Sequence, residues 1–150
     1  MENAKPCIFC DIIQKKSESY LIAEDKVFVV ILDIFPLRPG HVLIISKRHV
    51  KVIEELDDEE RGLLIMWVNK MCKSLKSSPL KAKATQVLLN NGKEANQTIP
   101  HLHFHIIPRY GWDLGFVLLN FLTRFFNPFF RIKRARRLNR IKEEIKSSLI

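Results

Sequence analysis

Three of the chain's five histidines stand at every second position of one short apolar run, PHLHFHIIPR. Side chains of a β-strand alternate between its two faces, so this period of two predicts that His101, His103 and His105 share one face. The prolines at both ends of the run suit strand ends and would disrupt a helix. Three imidazoles on one face can hold a metal ion, or one of them can act as a nucleophile beside two partners.

A second chemical pattern is C-x-x-C at Cys7 and Cys10, a spacing at which two thiolates can bind one zinc ion. The first ten residues, MENAKPCIFC, contain an acidic residue and two cysteines and do not resemble a secretory signal. No run of 18 or more apolar residues occurs, so we expect no membrane-spanning helix. Three cysteines without a secretory signal indicate a reducing, cytoplasmic compartment.

The length of 150 residues is that of one domain, and the hydrophobic fraction of 47% is typical of globular proteins. The formal charge of +9 is unevenly distributed. Residues 124–150 contain nine Lys or Arg against Glu143 and Glu144, so the remaining residues are close to neutral. The basic character belongs to the C-terminal segment, and this argues against nucleic-acid binding by the whole chain.

Apolar runs at 20–23, 26–32 and 41–45, together with TQVLLNN at 85–91, predict strands that precede the histidine strand. Residues 56–76 follow helical spacing, with Asp57 as the N-cap, and a second helix is predicted near 132–148. The fold class is therefore α+β, an antiparallel β-meander of about five strands with one long crossing helix and a C-terminal helix. We expect a domain at 1–115, with an aromatic and basic extension at 116–150 packed on or near it.

The motif HLHFHII resembles the signature of the histidine triad superfamily of nucleotide hydrolases and transferases. LDIFPLRPGHVLIISKRH (32–49) is similar to the nucleoside-binding strand and hairpin of that family, and NNGKEANQTIPHLHFHIIPR (90–109) to its phosphate loop and active strand. CIFCDII resembles the N-terminus of zinc-containing bacterial members. The resemblance covers roughly residues 7–110, and it implies the family's fold and a homodimer.

The resemblance also implies catalytic roles. The middle histidine of the motif attacks the α-phosphorus of a nucleotide and forms a covalent nucleotidyl-imidazole, which water then hydrolyses. His103 matches this nucleophile, and His41 and His105 match the flanking histidines that orient it and contact the phosphate. Asn90 and Gln97 match polar residues that reach phosphate oxygens or the leaving group.

Nucleoside recognition follows from the same resemblance. Asp33 matches the residue that holds the ribose hydroxyls, and a carboxylate offers two acceptor oxygens to a cis-diol. Ile34 and Phe35 are expected near the base. Asn96 stands where the family usually has glycine; Asn is a frequent substitute at positive φ, so we expect the loop geometry to be preserved.

In the zinc-containing members that the N-terminus resembles, four matching positions form a tetrahedral Cys2His2 site. Here these positions are Cys7, Cys10, His49 and His101. Such an ion is structural, and the chemical step requires no metal. The alternative is a reduced, metal-free cysteine pair with His49 on the surface.

The sequence thus predicts a nucleotide hydrolase that releases AMP or another nucleoside monophosphate from phosphoramidates, anhydrides or dinucleoside polyphosphates. Two alternatives stay open: a zinc-dependent hydrolase that uses all three histidines as ligands, and a non-catalytic nucleotide-binding or scaffold module. The expected ligand is a purine nucleotide or its conjugate. The extension at 116–150, with six of the ten Phe followed by a basic run, predicts a buried segment and a solvated helix, with dimer packing, membrane or nucleic-acid contact as alternatives.

Overall fold

The computed structural model describes residues 6–111, 115 and 131–149. In these residues five strands form one antiparallel sheet with the order β1-β2-β3-β5-β4. The strands are β1 (Leu21–Glu24), β2 (Phe28–Leu32), β3 (Val42–Ser46), β4 (Ala84–Leu89) and β5 (His103–Arg109). The helices are α1 (Ile8–Ile13), α2 (Asp58–Ser77) and α3 (Arg131–Lys146).

The sheet combines a three-stranded meander with a hairpin. β1, β2 and β3 pair in sequence order, and β4 pairs with β5. β5 also pairs with β3, which leaves β4 at the edge of the sheet. This architecture confirms the predicted α+β class with its crossing helix and C-terminal helix.

The central strands are buried on both faces, which explains their uninterrupted apolar sequences FVVIL and VLIIS. Phe104 and Ile106 of β5 belong to the core that includes residues of α2 and α3. His103 and His105 project from the opposite face, where they pair in register with Ile45 and Leu43 of β3. The alternation of β5 therefore separates a packing face from a histidine face.

α2 begins at the N-cap predicted from the sequence. The Asp57 side chain accepts a hydrogen bond from the Glu60 N–H (2.8 Å), and the Glu60 carboxylate accepts one from the Asp57 N–H (3.0 Å). This reciprocal pair satisfies two amide groups that lack partners within the helix. The helix is thus fixed at the end nearest the segment that follows His49.

α3 packs on the same face of the sheet as α2. Leu138, Ile141 and Ile145 are buried in the core, and the Ser74 hydroxyl of α2 donates a hydrogen bond to the Ile145 carbonyl over 3.2 Å. Residues 116–130 lie outside the described part of the chain, so the predicted boundary at 115 and the role of the aromatic run stay predictions. Among the described residues, no helix combines the length and apolar character needed to cross a bilayer. The cytoplasmic location likewise stays a prediction.

Two details of the predicted elements were wrong. β5 begins at His103, with His101 just before it, and it continues through Pro108 to Arg109. Proline is accommodated because it stands one residue from the strand's end, where its missing N–H costs little. The helix α1 was not predicted, since six residues are too few to show a helical period.

Candidate active site and metal centre

His103 is the first residue of β5, and its side chain is held in one orientation. His103 Nδ1 lies 2.7 Å from the backbone carbonyl oxygen of His101. Because a carbonyl can only accept, the ring proton of the neutral imidazole resides on Nδ1, and Nε2 keeps its lone pair. The Phe9 ring packs on this imidazole with a centroid distance of 5.0 Å. The imidazole is therefore fixed so that Nε2 can act as a nucleophile.

Burial favours the neutral form of His103. The residue is 5% exposed. Desolvation lowers the pKa of the imidazole below its ordinary value and outweighs the opposing effects of the His101 carbonyl and the Asp33 charge. Neutral imidazole is the form with a free lone pair, so burial and orientation favour the same reactive state.

His41 and His105 form a hydrogen-bonded pair beside His103. His41 Nε2 lies 3.0 Å from His105 Nδ1, and the ring centroids of His105 and His103 are 5.0 Å apart. On its other side, His41 Nδ1 lies 3.4 Å from Asp33 Oδ2. The Leu37 N–H also points to His41 Nδ1 over 3.3 Å, so this nitrogen has a partner with or without a proton. The network can thus move a proton between the two imidazoles without losing its contacts.

Asp33 is buried at the end of β2, next to two exposed apolar side chains. Its Oδ1 accepts a hydrogen bond from the Phe35 N–H over 2.7 Å, and its Oδ2 faces His41. A carboxylate has about four acceptor positions, so both oxygens keep capacity for a ligand hydroxyl. Ile34 and Phe35 are 49% and 45% exposed. Together these residues offer an apolar contact area beside an anionic group.

The amides predicted to contact phosphate lie in the loop between β4 and β5. Asn90 Nδ2 donates to the Ala95 carbonyl, and Gln97 Oε1 accepts from the Gly92 N–H over 3.0 Å. Gln97 Nε2 also donates to the Lys51 carbonyl over 2.7 Å. Both amides thus hold backbone groups in this structure, and their contact with phosphate stays a prediction. Asn96 has φ = +61°, the left-handed conformation expected where the family has glycine.

Four predicted metal ligands converge at the start of β5: Cys7, Cys10, His49 and His101. Their ligand atoms all lie within 4.8 Å of one another. His101 Nδ1 is 3.3 Å from Cys7 Sγ and 3.6 Å from Cys10 Sγ, and His49 Nδ1 is 3.1 Å from Cys10 Sγ. Zinc–sulfur and zinc–nitrogen bonds of about 2.3 and 2.1 Å imply sulfur–nitrogen separations of about 3.5 Å in a tetrahedral site. The donor set fits a zinc ion.

The surroundings of this cluster also suit a cation. His101 Nε2 donates a hydrogen bond to the Ser46 carbonyl over 2.7 Å, which leaves Nδ1 free to face the sulfurs. Burial, followed by the neighbouring Cys7 sulfur, raises the pKa of Cys10 to about 11. Without a counter-charge the Cys10 thiol therefore stays protonated at neutral pH, whereas a bound dication would favour its thiolate.

The three histidines of the sequence motif do not converge on one point. His101 belongs to the cysteine cluster, and His105 belongs to a group with Asp33 and His41 whose ligand atoms also lie within 4.8 Å of one another. In the described part of the chain, neither group includes His103. This separation does not match a zinc ion held by all three motif histidines.

Phe9 is a site residue that sequence reasoning missed. Its ring contacts His101 edge-on, with a centroid distance of 5.7 Å, as well as His103. The residue lies inside the C-x-x-C motif, so α1 brings the metal cluster and the candidate nucleophile against one aromatic ring. The position of Phe9 between the two cysteines of the C-x-x-C motif was the one sequence feature that pointed to it. Its contacts with the histidines depend on α1, which was not predicted.

Comparison with known proteins places this arrangement in a family. The chain is 36% identical over 113 residues to the adenosine 5′-monophosphoramidase of Schizosaccharomyces pombe, covering 73% of this chain and 81% of that protein. The structure of a zinc-bound histidine triad family protein from Mycobacterium smegmatis has a TM-score of 0.71 at 28% identity, with 95% and 96% of the two chains covered. A HIT family hydrolase from Legionella pneumophila has a TM-score of 0.59 at 28% identity, with 68% and 91% covered.

The family model agrees with these similarities. It is the HIT domain model, and it matches residues 14–112, which include the hairpin, the loop after β4 and the whole of β5. The matched range therefore contains the hydrogen-bonded His41–His105 pair and the oriented His103. This chain belongs to the HIT domain family, the histidine triad proteins.

Proposed function

We propose that this protein is a nucleotide hydrolase that releases AMP or another nucleoside monophosphate from a phosphoramidate, an anhydride or a dinucleoside polyphosphate. The observation that carries the proposal is the orientation of His103, whose Nδ1 proton is held by the His101 carbonyl while Nε2 keeps its lone pair. The resemblance to an adenosine 5′-monophosphoramidase and to a HIT family hydrolase supports this class of reaction.

The proposed reaction has two displacements at phosphorus. His103 Nε2 attacks the α-phosphorus, a nitrogen–phosphorus bond forms, and the bond to the leaving group breaks with its electron pair going to the leaving group, which takes a proton from solvent. Water then attacks the same phosphorus and gives up a proton to solvent, the nitrogen–phosphorus bond breaks with its electron pair returning to Nε2, and the monophosphate leaves with neutral His103 restored. Covalent catalysis divides one difficult displacement into two easier steps.

The neighbouring side chains support this chemistry by position. His105, held by His41, hydrogen-bonds the non-bridging oxygens on which charge develops. Asp33 accepts hydrogen bonds from the ribose hydroxyls, and Ile34 and Phe35 contact the base. Zinc, when bound by Cys7, Cys10, His49 and His101 (the Cys7 cluster), would cross-link the segments that carry these residues and would take no part in the chemical step.

A panel of AMP conjugates tests the proposal. The panel contains a phosphoramidate, an acyl or phosphate anhydride and a dinucleoside polyphosphate, with AMP release followed by chromatography. Wild-type protein is expected to release AMP from at least one of them. Protein quenched in base during turnover, where nitrogen–phosphorus bonds survive, is expected to carry the nucleotide on the peptide that contains His103.

The same panel separates the two alternatives. A non-catalytic nucleotide-binding module would bind AMP and turn over none of the conjugates. A zinc-dependent hydrolase would lose its activity when a chelator removes the metal from protein that stays folded. The proposed mechanism predicts that chelation lowers activity only to the extent that it unfolds the protein.

We further propose that the active form is a homodimer. β4 is an edge strand, and its Val87 and Leu88 are 44% and 38% exposed. On α2, Ile65 and Met66 are 62% and 67% exposed. Val87 pairs in register with Ile106 and lies on the α2 face of the sheet, whereas Leu88 pairs with His105 and lies on the other face. An exposed edge strand with apolar side chains is unfavourable in water, as are the exposed apolar side chains of α2. A two-fold partner that lies along β4 and contacts α2 removes that cost.

A further inference from the structure

The loop between β4 and β5, residues 90–97, has a backbone that needs anchoring. It contains two left-handed positions, Gly92 with φ = +97° and Asn96 with φ = +61°. Its internal backbone bonds include Gln97 N–H to the Gly92 carbonyl over 3.2 Å and Asn96 N–H to the Lys93 carbonyl over 3.0 Å. This segment matches the family's phosphate loop in the resemblance given above, so in the proposed function we expect it to face the substrate phosphates, and it is called the phosphate loop below. Its affinity for phosphate depends on how its backbone is held.

Asn91 attaches the phosphate loop to the short 3-10 turn before α2. Asn91 Oδ1 accepts a hydrogen bond from the Ile53 N–H over 2.9 Å. Asn91 Nδ2 lies 2.9 Å from each carboxylate oxygen of Glu54 and donates to that group. This hydrogen bond is the main reason that the pKa of Glu54 lies below its ordinary value. The Asn91 amide thus binds Ile53 through its oxygen and Glu54 through its nitrogen.

Gln97 attaches the other end of the phosphate loop to the residues just before that 3-10 turn. Its Nε2 donates to the Lys51 carbonyl over 2.7 Å. These residues are themselves fixed, because the Glu55 carboxylate accepts hydrogen bonds from the Lys51 and Val52 N–H groups at 3.0 and 3.2 Å. Lys51 also follows His49 of the metal cluster by two residues. Both ends of the phosphate loop are therefore tied to one rigid support.

We propose that Asn91 is a positioning residue that sets the affinity for the substrate phosphate by fixing the phosphate loop to Glu54. The inference rests on the proposed function and adds a residue that does not itself contact the substrate. Asn91 faces Ile53 and Glu54, so it acts through the backbone of Gly92 and the residues after it. A loop released from this support samples other backbone conformations, and phosphate binding must then restore the order.

A charge swap tests the inference. Asn91→Asp keeps the shape and the acceptor for the Ile53 N–H, but it places a second carboxylate against Glu54, and the like charges repel. In Asn91→Asp/Glu54→Gln, the introduced amide can donate to the introduced carboxylate, and the pairing returns. Asn139→Asp adds the same charge on an exposed position of α3 and serves as the matched control.

Binding of AMP and adenosine is the primary measurement, by calorimetry on the full chain. Asn91→Asp is expected to weaken AMP binding roughly tenfold, the effect of losing one or two net hydrogen bonds, while adenosine binding stays unchanged. The AMP affinity of the double variant should return to within about threefold of the wild-type value, a smaller change than the loss of one net hydrogen bond would cause. KM for an AMP conjugate should rise more than kcat falls, and Asn139→Asp should match wild type.

Other results would overturn the inference. Unchanged AMP affinity in Asn91→Asp would show that the attachment does not matter for phosphate binding. Equal losses for AMP and adenosine, together with a lower Tm, would assign Asn91 a purely structural role. If the double variant binds AMP as weakly as Asn91→Asp, Glu54 is not the residue through which Asn91 holds the phosphate loop. If wild-type protein binds AMP no better than adenosine and turns over none of the conjugates, the proposed function itself fails.

Discussion

His103 is the side chain on which turnover depends in the proposed mechanism. His103→Ala removes the only atom that forms the covalent bond to phosphorus, so activity should fall by at least about a thousandfold. AMP affinity should change only severalfold, because the ribose and base contacts lie elsewhere. Steady-state rates of AMP release and the Kd for AMP check this prediction, and Tm shows whether the variant is folded. Retention of a tenth of wild-type activity would rule out covalent catalysis by His103.

Asp33 is predicted to select ribose over sugars without the cis-diol. Asp33→Ala removes a buried carboxylate whose hydrogen bonds contribute about 1.5–3 kcal/mol each, so the loss of even one of them should weaken AMP binding about ten- to a hundredfold. The affinity for 2′,3′-dideoxy-AMP, which lacks both hydroxyls, should be nearly the same for the variant and for wild type. Equal losses for the two ligands would mean that Asp33 supports His41 and does not contact the diol.

Side-chain roles could be predicted from the sequence only where a motif fixes the direction of the side chain. The alternation of β5 was enough to predict that His103 and His105 share a face. Contact of the Gln97 amide with phosphate stays a prediction, and the bonds that this amide makes to the backbone at Lys51 and Gly92 could not be predicted. An amide in a loop has donors and acceptors that suit many backbone groups, so residue type and spacing alone do not determine its partner.

At the scale of elements, the Cys7 cluster joins α1, the segment after β3 and the start of β5. Cys7→Ser or Cys10→Ser should release the zinc and lower Tm by roughly 5–15 °C, because a structural ion contributes a few kcal/mol to the folded state. Elemental analysis should find one zinc per wild-type chain and none in these variants.

The third cysteine provides the matched control for this experiment. Cys72 lies outside the cluster and accepts a hydrogen bond from the Thr85 hydroxyl over 3.1 Å. Cys72→Ser should therefore keep one zinc per chain and a Tm close to that of wild type. Metal-free wild-type protein with the same Tm would contradict a structural ion and favour a reduced cysteine pair.

The strands and the long helix could be predicted because each carries a local signal. β2 and β3 are continuous apolar runs, and α2 begins at the capping pair of Asp57 and Glu60. The placement of β5 between β3 and β4 has no local signal, since it depends on pairing between residues about 60 apart, such as Ile44 and Phe104. Helix α1 owes its position to contacts such as Phe9 on His103, which form only in the folded chain.

At the scale of the whole molecule, the exposed apolar side chains of α2 and β4 predict a dimer. Light scattering coupled to size exclusion should give twice the chain mass of 17.6 kDa. Met66→Glu combined with Val87→Lys places charges in the proposed interface and should shift the protein to monomer. The variant Asn139→Glu, on an exposed position of α3, should stay dimeric. A wild-type monomer at micromolar concentration would refute the proposed interface.

The two faces of β5 also constrain how the gene can change over time. Leu102, Phe104 and Ile106 pack in the core, and the residues between them carry the imidazoles. Gain or loss of one codon within this stretch would exchange the faces, burying imidazoles under α2 and exposing the apolar side chains. Descendants of this sequence can therefore vary here by substitution, whereas viable insertions and deletions should collect in surface loops. A library of single-codon insertions, selected for folded protein, should show a gap across β5.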